Sequence, residues 1–174
     1  YCMGNQARRL PQSLDIKDDV PIGQGGMATI YRARQVNLDR SVVIKRIKPE
    51  LVSHTNVLAR FEREARASAK LIHQNLAHVY DYVPDPEAPY IVMEYIDGVD
   101  VADLLARRGI IPTDVSLCIL LGITRALAHV HSYGLIHRDI KPENIRLSSS
   151  GEVKLMDFGI AIQADDSKLT LPGI

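Results

Sequence analysis

The sequence predicts an α+β fold in two lobes: an antiparallel sheet with one helix, then a mainly helical part. Three observations predict it. β-Branched residues and glycines predominate over residues 20–47 and return over 76–83 and 90–95, as strands require. After Gly98 the apolar spacing turns helical. Strands gathered first and helices afterwards mark a segregated α+β arrangement.

Taken in order, residues 1–19 are polar and irregular and read as a flank. Residues 20–47 hold two or three twisted strands, with apolar stretches at 28–31 and 42–44; Pro21 limits the regularity of the first. Residues 56–71 read as a helix. Phe61, Glu64, Ala65, Ser68 and Leu71 recur on one face, and Arg60, Glu62, Arg63 and Arg66 supply much of the rest, so one carboxylate points inward. A further strand pair, 76–83 and 90–95, is separated by a loop with Pro84, Pro86 and Pro89. A short helix over 101–107 ends at Gly109. Thr113 caps a long helix that runs to about residue 133 and stops at Gly134. Short strands at 145–147 and 153–156 flank the turn SSSG. The division expected is flank 1–19, first lobe 20–95 and partial second lobe 96–174.

A chain of 174 residues holds one substantial core, or one lobe and part of another. Its 21 basic residues balance 21 acidic ones, so no net field favours nucleic acid or an anionic membrane, and neither is expected as a partner. Cys2 and Cys118 form no CxxC pair, which fits a reducing, cytoplasmic setting. The longest apolar run, 117–124, is broken by Gly122 and too short to span a bilayer. No apolar block comes after Arg8 and Arg9, so no secretory signal is read. The chain opens on Tyr1 and closes on LTLPGI with no element completed, as a piece of a longer protein would.

Residues 137–144, HRDIKPEN, put a histidine, cations, carboxylates and an asparagine around Pro142, which forbids a regular helix. Polar groups concentrated on a loop point to chemistry. Upstream, the glycines of the stretch Gly23 to Ile30 let backbone amides approach an anion, although a plain hairpin explains them equally well. The stretch lacks a GK[ST] and runs into residues patterned as a strand, so neither a Walker loop nor a dinucleotide fold is indicated. Lys45 comes after three β-branched residues and shares a strand face with Val43; snorkelling at a sheet edge is its plain alternative. For Glu64 the plain alternative is pairing with Arg60 or Arg63.

The order carries more than any member: glycine loop, Lys45, helical Glu64, HRDIKPEN, then Met156-Asp157-Phe158-Gly159. This set strongly resembles the eukaryotic-type protein kinases, and GGMATIY with REA resembles their bacterial serine/threonine branch. The resemblance implies a two-lobed kinase fold and transfer of the γ-phosphoryl group of ATP to serine or threonine hydroxyls of proteins, with Mg2+, or Mn2+ in its place. It implies that Gly23, Gly25 and Gly26 cover the phosphates, with Ile30 closing the stretch, and that Lys45 holds phosphate and is fixed by Glu64. Asp139 would accept or orient the hydroxyl proton beside Lys141, and Asn144 and Asp157 would hold the metal. Met93, Glu94 and Ile96 align with the connector that meets adenine, and Asp100 with a ribose contact. Arg138 implies control by a phosphorylated segment, with Ser167 and Thr170 as candidate sites and a second kinase molecule as the activator.

The chain departs from the pattern in places. Ala28 stands for the third glycine. Val43 replaces a small residue and narrows the space above the base. Arg146 replaces an aliphatic residue beneath it; its stem is expected to pack there with the guanidinium turned outward. The resemblance implies that the chain covers about the first two thirds of the fold, without the APE segment and the later helices of the second lobe. The long helix is therefore expected to expose Leu117, Leu120, Leu121 and Leu127. A noncatalytic ATP-binding or kinase-interacting module is the alternative function.

Overall fold

The computed structural model of the chain describes residues 14–16 and 21–157. The larger sheet is antiparallel. It holds β1 (Leu14–Ile16), β2 (Gly23–Gln24), β3 (Ala28–Gln35), β4 (Arg40–Ile47), β5 (Val79–Val83) and β6 (Tyr90–Glu94), in the order β1-β3-β4-β6-β5 with β2 paired to β3. Alternation along β4 explains its two faces: Val42 and Ile44 join Tyr31, Ala33, Tyr90 and Val92 on one side. On the other side Ile47 packs with Ala28, Ile91 and two residues of helix α1 (Thr55–Ser68), Phe61 and Ala65. Lys45 lies on that second face, between Val43 and Ile47. Every residue assigned to the inward face of this helical segment is buried: Phe61, Glu64, Ala65, Ser68 and Leu71.

Two sequence expectations are corrected in this region. Leu14–Ile16, read as flank, forms an edge strand against β3, with Leu14 opposite Gln35. The strand expected from residue 76 begins at Val79 instead. Leu76 leaves the larger sheet and bridges to Leu155 in parallel, with the Ala77 N–H donating to the Leu155 carbonyl at 3.0 Å.

A connector, residues 95–97, leads to the second part: β7 (Gly98–Asp100), α2 (Val101–Arg108), α3 (Thr113–Ser132), β8 (Ile145–Ser148) and β9 (Val153–Leu155), with a small antiparallel sheet ordered β7-β8-β9. The Asp100 carboxylate caps α2 by accepting from the Asp103 N–H at 2.7 Å, and Gly109, at φ +72°, ends it. Thr113 does not cap α3. Pro112 occupies that position and Thr113 is already helical, without a side-chain cap bond, because the proline φ of −53° sets the entry.

The core of this part joins α3 residues Ile119, Ile123, Ala126 and Val130 to Leu71, Leu76, Val153 and Leu155. Helix and strand approach so closely at Gly122 that an added Cβ would stand 2.9 Å from Val153 Cβ. Leu117, Leu120 and Leu121 are exposed as expected. Leu127 is not: four residues after Ile123, it falls on the buried stripe and packs against the core. By length and composition α3 is long and apolar enough to cross a membrane, which the 117–124 run alone does not suggest. Its buried stripe is the one a core helix needs.

Candidate active site

The antiparallel registers bring the glycine loop over Lys45: Gly23 pairs with Ile30, and Ile30 with Lys45. The turn is held by the Gly25 N–H donating to the Ala28 carbonyl at 2.9 Å. A Cβ on Gly26 would meet nothing within 4 Å, so packing inside the protein does not demand that glycine. Gly26 lines an open cleft of about 580 Å³. Gly23, Gly25, Gly26, Ile30, Lys45, Glu64, Asp139, Lys141, Asn144 and Asp157 all line this cleft.

Within it, Lys45 Nζ donates to Glu64 Oε1 at 2.7 Å and to Asp157 Oδ1 at 3.0 Å. Burial would pull the Lys45 ammonium down, but the facing carboxylates of Asp157 and Glu64 outweigh it and hold its pKa above the ordinary value. For Glu64, burial pushes the carboxyl up and Lys45 opposes the shift. The edge-of-sheet alternative for Lys45 and the Arg60 or Arg63 pairing for Glu64 thus give way to a buried ion pair.

The polar loop is tied to the strand before Asp157. Buried His137 contacts the Met156 carbonyl through Nε2 at 3.1 Å, while its Nδ1 receives the Asp139 N–H at 3.3 Å. Donation from Nε2 and acceptance at Nδ1 describe a neutral ring, and burial lowers the His137 pKa accordingly. The Met156 N–H donates to the Asn144 carbonyl at 2.7 Å. Asn144 Nδ2 donates to the Asp139 carbonyl at 2.8 Å and to Asp139 Oδ2 at 2.9 Å. Lys141 sits 2.9 Å from the same Oδ2. Its hydrogen bond, with the Asn144 bond adding to it, holds the Asp139 carboxyl below the usual carboxylate range, while partial desolvation opposes them.

Beside the cleft, Val43, Ala77, Met93 and Ile96 form a buried apolar cluster, with Ile30, Tyr95 and Met156 packed on it. Glu94 closes β6 just before the connector; its carboxylate accepts from the His78 N–H at 3.1 Å and lies 3.0 Å from Lys154 Nζ. Arg146 departs from expectation. Its guanidinium turns inward to the connector, Nε donating to the Ile96 carbonyl at 2.8 Å and Nη2 to the Gly98 carbonyl at 2.7 Å. Carbonyls at the connector attract the fork more strongly than an outward pose in solvent would. Asp100 lies opposite Arg146 in the sheet and caps α2 with Oδ1. Arg138 is exposed, at φ +65°. Ser167 and Thr170 lie outside the described residues.

Sequence reasoning does not single out Arg60, Glu143, His137 or Lys154 as site residues. Arg60 and Glu143 line the cleft, and Arg60 stands one helical turn before Glu64, a spacing that is itself a signal. His137 is visible in the loop motif, but its tie to the Met156 carbonyl is not. Nothing in the sequence marks Lys154 as the partner of Glu94.

Residues 16–171 match the family model described as "Protein kinase domain". A probable serine/threonine-protein kinase of Streptomyces coelicolor is 42% identical over 155 residues, covering 86% of this chain and 23% of the relative. The serine/threonine-protein kinase PknL of Mycobacterium tuberculosis is 40% identical over 153 residues, 88% of this chain and 38% of its own length. PknA of Corynebacterium glutamicum is 40% identical over 158 residues, 88% of this chain and 34% of the relative. The chain therefore spans between 23% and 38% of the length of these relatives.

Proposed function

This chain belongs to the protein kinase domain family, and on that premise we propose that it carries the nucleotide and phosphoryl-transfer site of an ATP- and Mg2+-dependent serine/threonine kinase. One observation carries the reading: Lys45, Glu64, Asp139, Asn144 and Asp157, drawn from four separate elements and loops, line one cleft beneath a glycine turn.

Each residue then has work suited to its surroundings. The backbone amides of Gly23 to Gly26 cradle phosphate oxygens, for which the open space at Gly26 leaves room. Lys45, held charged by its carboxylates, donates to phosphate. Glu64 keeps that ammonium in place. Asp139, ionised at neutral pH, orients and receives the proton of the acceptor hydroxyl, with Lys141 supplying positive charge beside it. Asn144 commits its nitrogen to Asp139, which leaves its amide oxygen, with the Asp157 carboxylate, as an oxygen donor set suited to a hard cation. Bound magnesium would supply charge neutralisation for the transferred group. The apolar cluster around Val43, Met93 and Ile96 receives the base. Asp100 retains Oδ2 for a ribose hydroxyl. Protein substrates bearing serine or threonine, a cytoplasmic setting, activation by a second kinase molecule through Arg138, Ser167 and Thr170, and the division between two lobes at residue 95 belong to the same reading.

The test is transfer of labelled γ-phosphate to a peptide library containing serine and threonine, followed by identification of the labelled residue. The reading expects label on serine or threonine in the presence of magnesium, and its loss in Asp139→Asn. Tight ATP binding without any transfer would favour the noncatalytic module.

A further inference from the structure

The connector is tied to the second part of the fold chiefly through one side chain. Arg146 on β8 donates from Nε to the Ile96 carbonyl at 2.8 Å and from Nη2 to the Gly98 carbonyl, at the start of β7, at 2.7 Å. One planar group thus bridges two alternate carbonyls. The Asp97 carbonyl between them accepts from the Ser149 N–H, in the turn after β8, at 2.8 Å. Just ahead of the connector, the Glu94 carboxylate lies 3.0 Å from Lys154 Nζ on β9. Arg146 and Lys154 are cross-strand partners, a like-charge pairing that acceptors at the connector offset. These ties all run to the β8–β9 hairpin.

An aliphatic side chain at position 146 could pack there but would donate nothing. The Ile96 carbonyl, on a residue only 5% exposed, would then lose the side-chain donor it has in this chain. Ile96 also belongs, with Val43 and Met93, to the apolar cluster that receives the base in the function proposed above, on which this inference rests. Holding the Ile96 carbonyl therefore holds the stretch of chain that the base must meet. Backbone ordered before a ligand arrives lowers the entropy loss that binding has to overcome. We propose that Arg146 is a positioning residue of the nucleotide site: it clamps the connector to β8, so that the base-binding stretch is set in the free protein.

The Ser149 amide reports the clamp, because it is bonded to the Asp97 carbonyl within the span that Arg146 bridges. Its hydrogen exchange is followed by NMR in the full chain, free and with adenosine, in wild type, Arg146→Leu and Arg146→Lys. Calorimetry gives the affinities for adenosine and for ATP with Mg2+. In the wild type Ser149 should be protected already, and adenosine should change its rate by less than about twofold. In Arg146→Leu that rate should rise about tenfold while the amides of Ala126 and Val130, in the core of α3, keep theirs. The same variant should bind adenosine and ATP about tenfold more weakly, by one common factor, the effect of leaving one backbone residue to be ordered on binding. Arg146→Lys has no fork to span both carbonyls and should fall between. Should Arg146→Leu not fold, Arg146→Lys decides. Wild-type Ser149 protection that appears only with adenosine overturns the inference whether or not either variant folds. So does an unchanged Ser149 rate in a folded variant, a larger loss for ATP than for adenosine, or a wild type that binds ATP but not adenosine. Those results leave the kinase reading standing. A wild-type chain that binds neither compound overturns that reading and this inference with it.

Discussion

Lys45 and Asp157 lie 112 residues apart in the chain and meet at 3.0 Å. The larger sheet supplies one and the segment after β9 the other, so the contact exists only when the two parts of the fold close on each other. Glu64 at 2.7 Å completes the triad from helix α1. Whatever disturbs any of the three elements disturbs the site.

Removing the cation strands a buried carboxylate. Lys45→Met should lower stability by about 3 kcal/mol at neutral pH, where Glu64 is left charged and 6% exposed. Because burial already pushes the Glu64 carboxyl up, protonation relieves the cost and the deficit should shrink toward pH 5. Chemical denaturation of Lys45→Met beside Lys45→Met/Glu64→Gln checks this. The double variant should recover most of the loss, and a double variant as unstable as the single one would contradict the account.

The ionisation of Asp139 depends on its neighbour. Lys141→Met removes the strongest influence that holds this carboxyl low, so the Asp139 pKa should rise toward the ordinary range. Carbon NMR of the labelled carboxylate reads the shift directly. In a phosphoryl-transfer assay the acidic limb of the rate profile should move to higher pH, because the base is lost to protonation sooner.

Two histidines link folding to pH. His73 stacks on His129 with ring centroids 5.1 Å apart, and its Nδ1 accepts from the Asn75 N–H at 3.1 Å, a bond that needs an unprotonated nitrogen. Desolvation, with His129, Arg125 and Lys154 nearby, lowers its pKa, and burial lowers that of His137. Both rings bind protons less readily folded than unfolded. Their stabilising contribution is therefore present above the unfolded value near 6.5 and is lost as pH falls through the lower folded values. Thermal unfolding between pH 7.5 and 5 should show Tm falling on the acid side, with a shallower fall in His73→Gln.

Glycines at two places should respond in opposite ways. Gly122→Ala drives a Cβ to 2.9 Å from Val153 Cβ and 3.3 Å from Asn75 Nδ2. Overpacking of about 1–3 kcal/mol outweighs the helix propensity gained, about 1 kcal/mol, so Tm should drop. At Gly26 an added methyl meets nothing within 4 Å, and Gly26→Ala should change stability by less than about 0.5 kcal/mol.

Much of this site is legible in the sequence because motifs fix type and order together. Lys45 on a strand and Glu64 on the inward face of a helix come from periods of 2 and 3.6, and the polar loop comes from Pro142. What periodicity cannot supply is pairing between distant elements. Lys154 meets Glu94 across 60 residues, and Leu76 deserts its expected strand for Leu155, through contacts that no local pattern announces. Leu14–Ile16 is too short to stand out from its polar neighbours, yet β3 offers it an edge. Arg146 shows the remaining difficulty. Its position is legible in the motif, but the direction of a long flexible side chain is decided by which acceptors lie within reach.

The central claim is that the cleft beneath the glycine turn is a magnesium-dependent ATP site assembled by residues of this chain. Calorimetric titration of the chain with ATP, with and without magnesium, tests it most directly, with Lys45→Ala and Asp157→Ala as controls. Binding that requires magnesium and is weakened by both substitutions is the predicted result. A chain shown by circular dichroism to be folded, yet giving no magnesium-dependent binding, would contradict it.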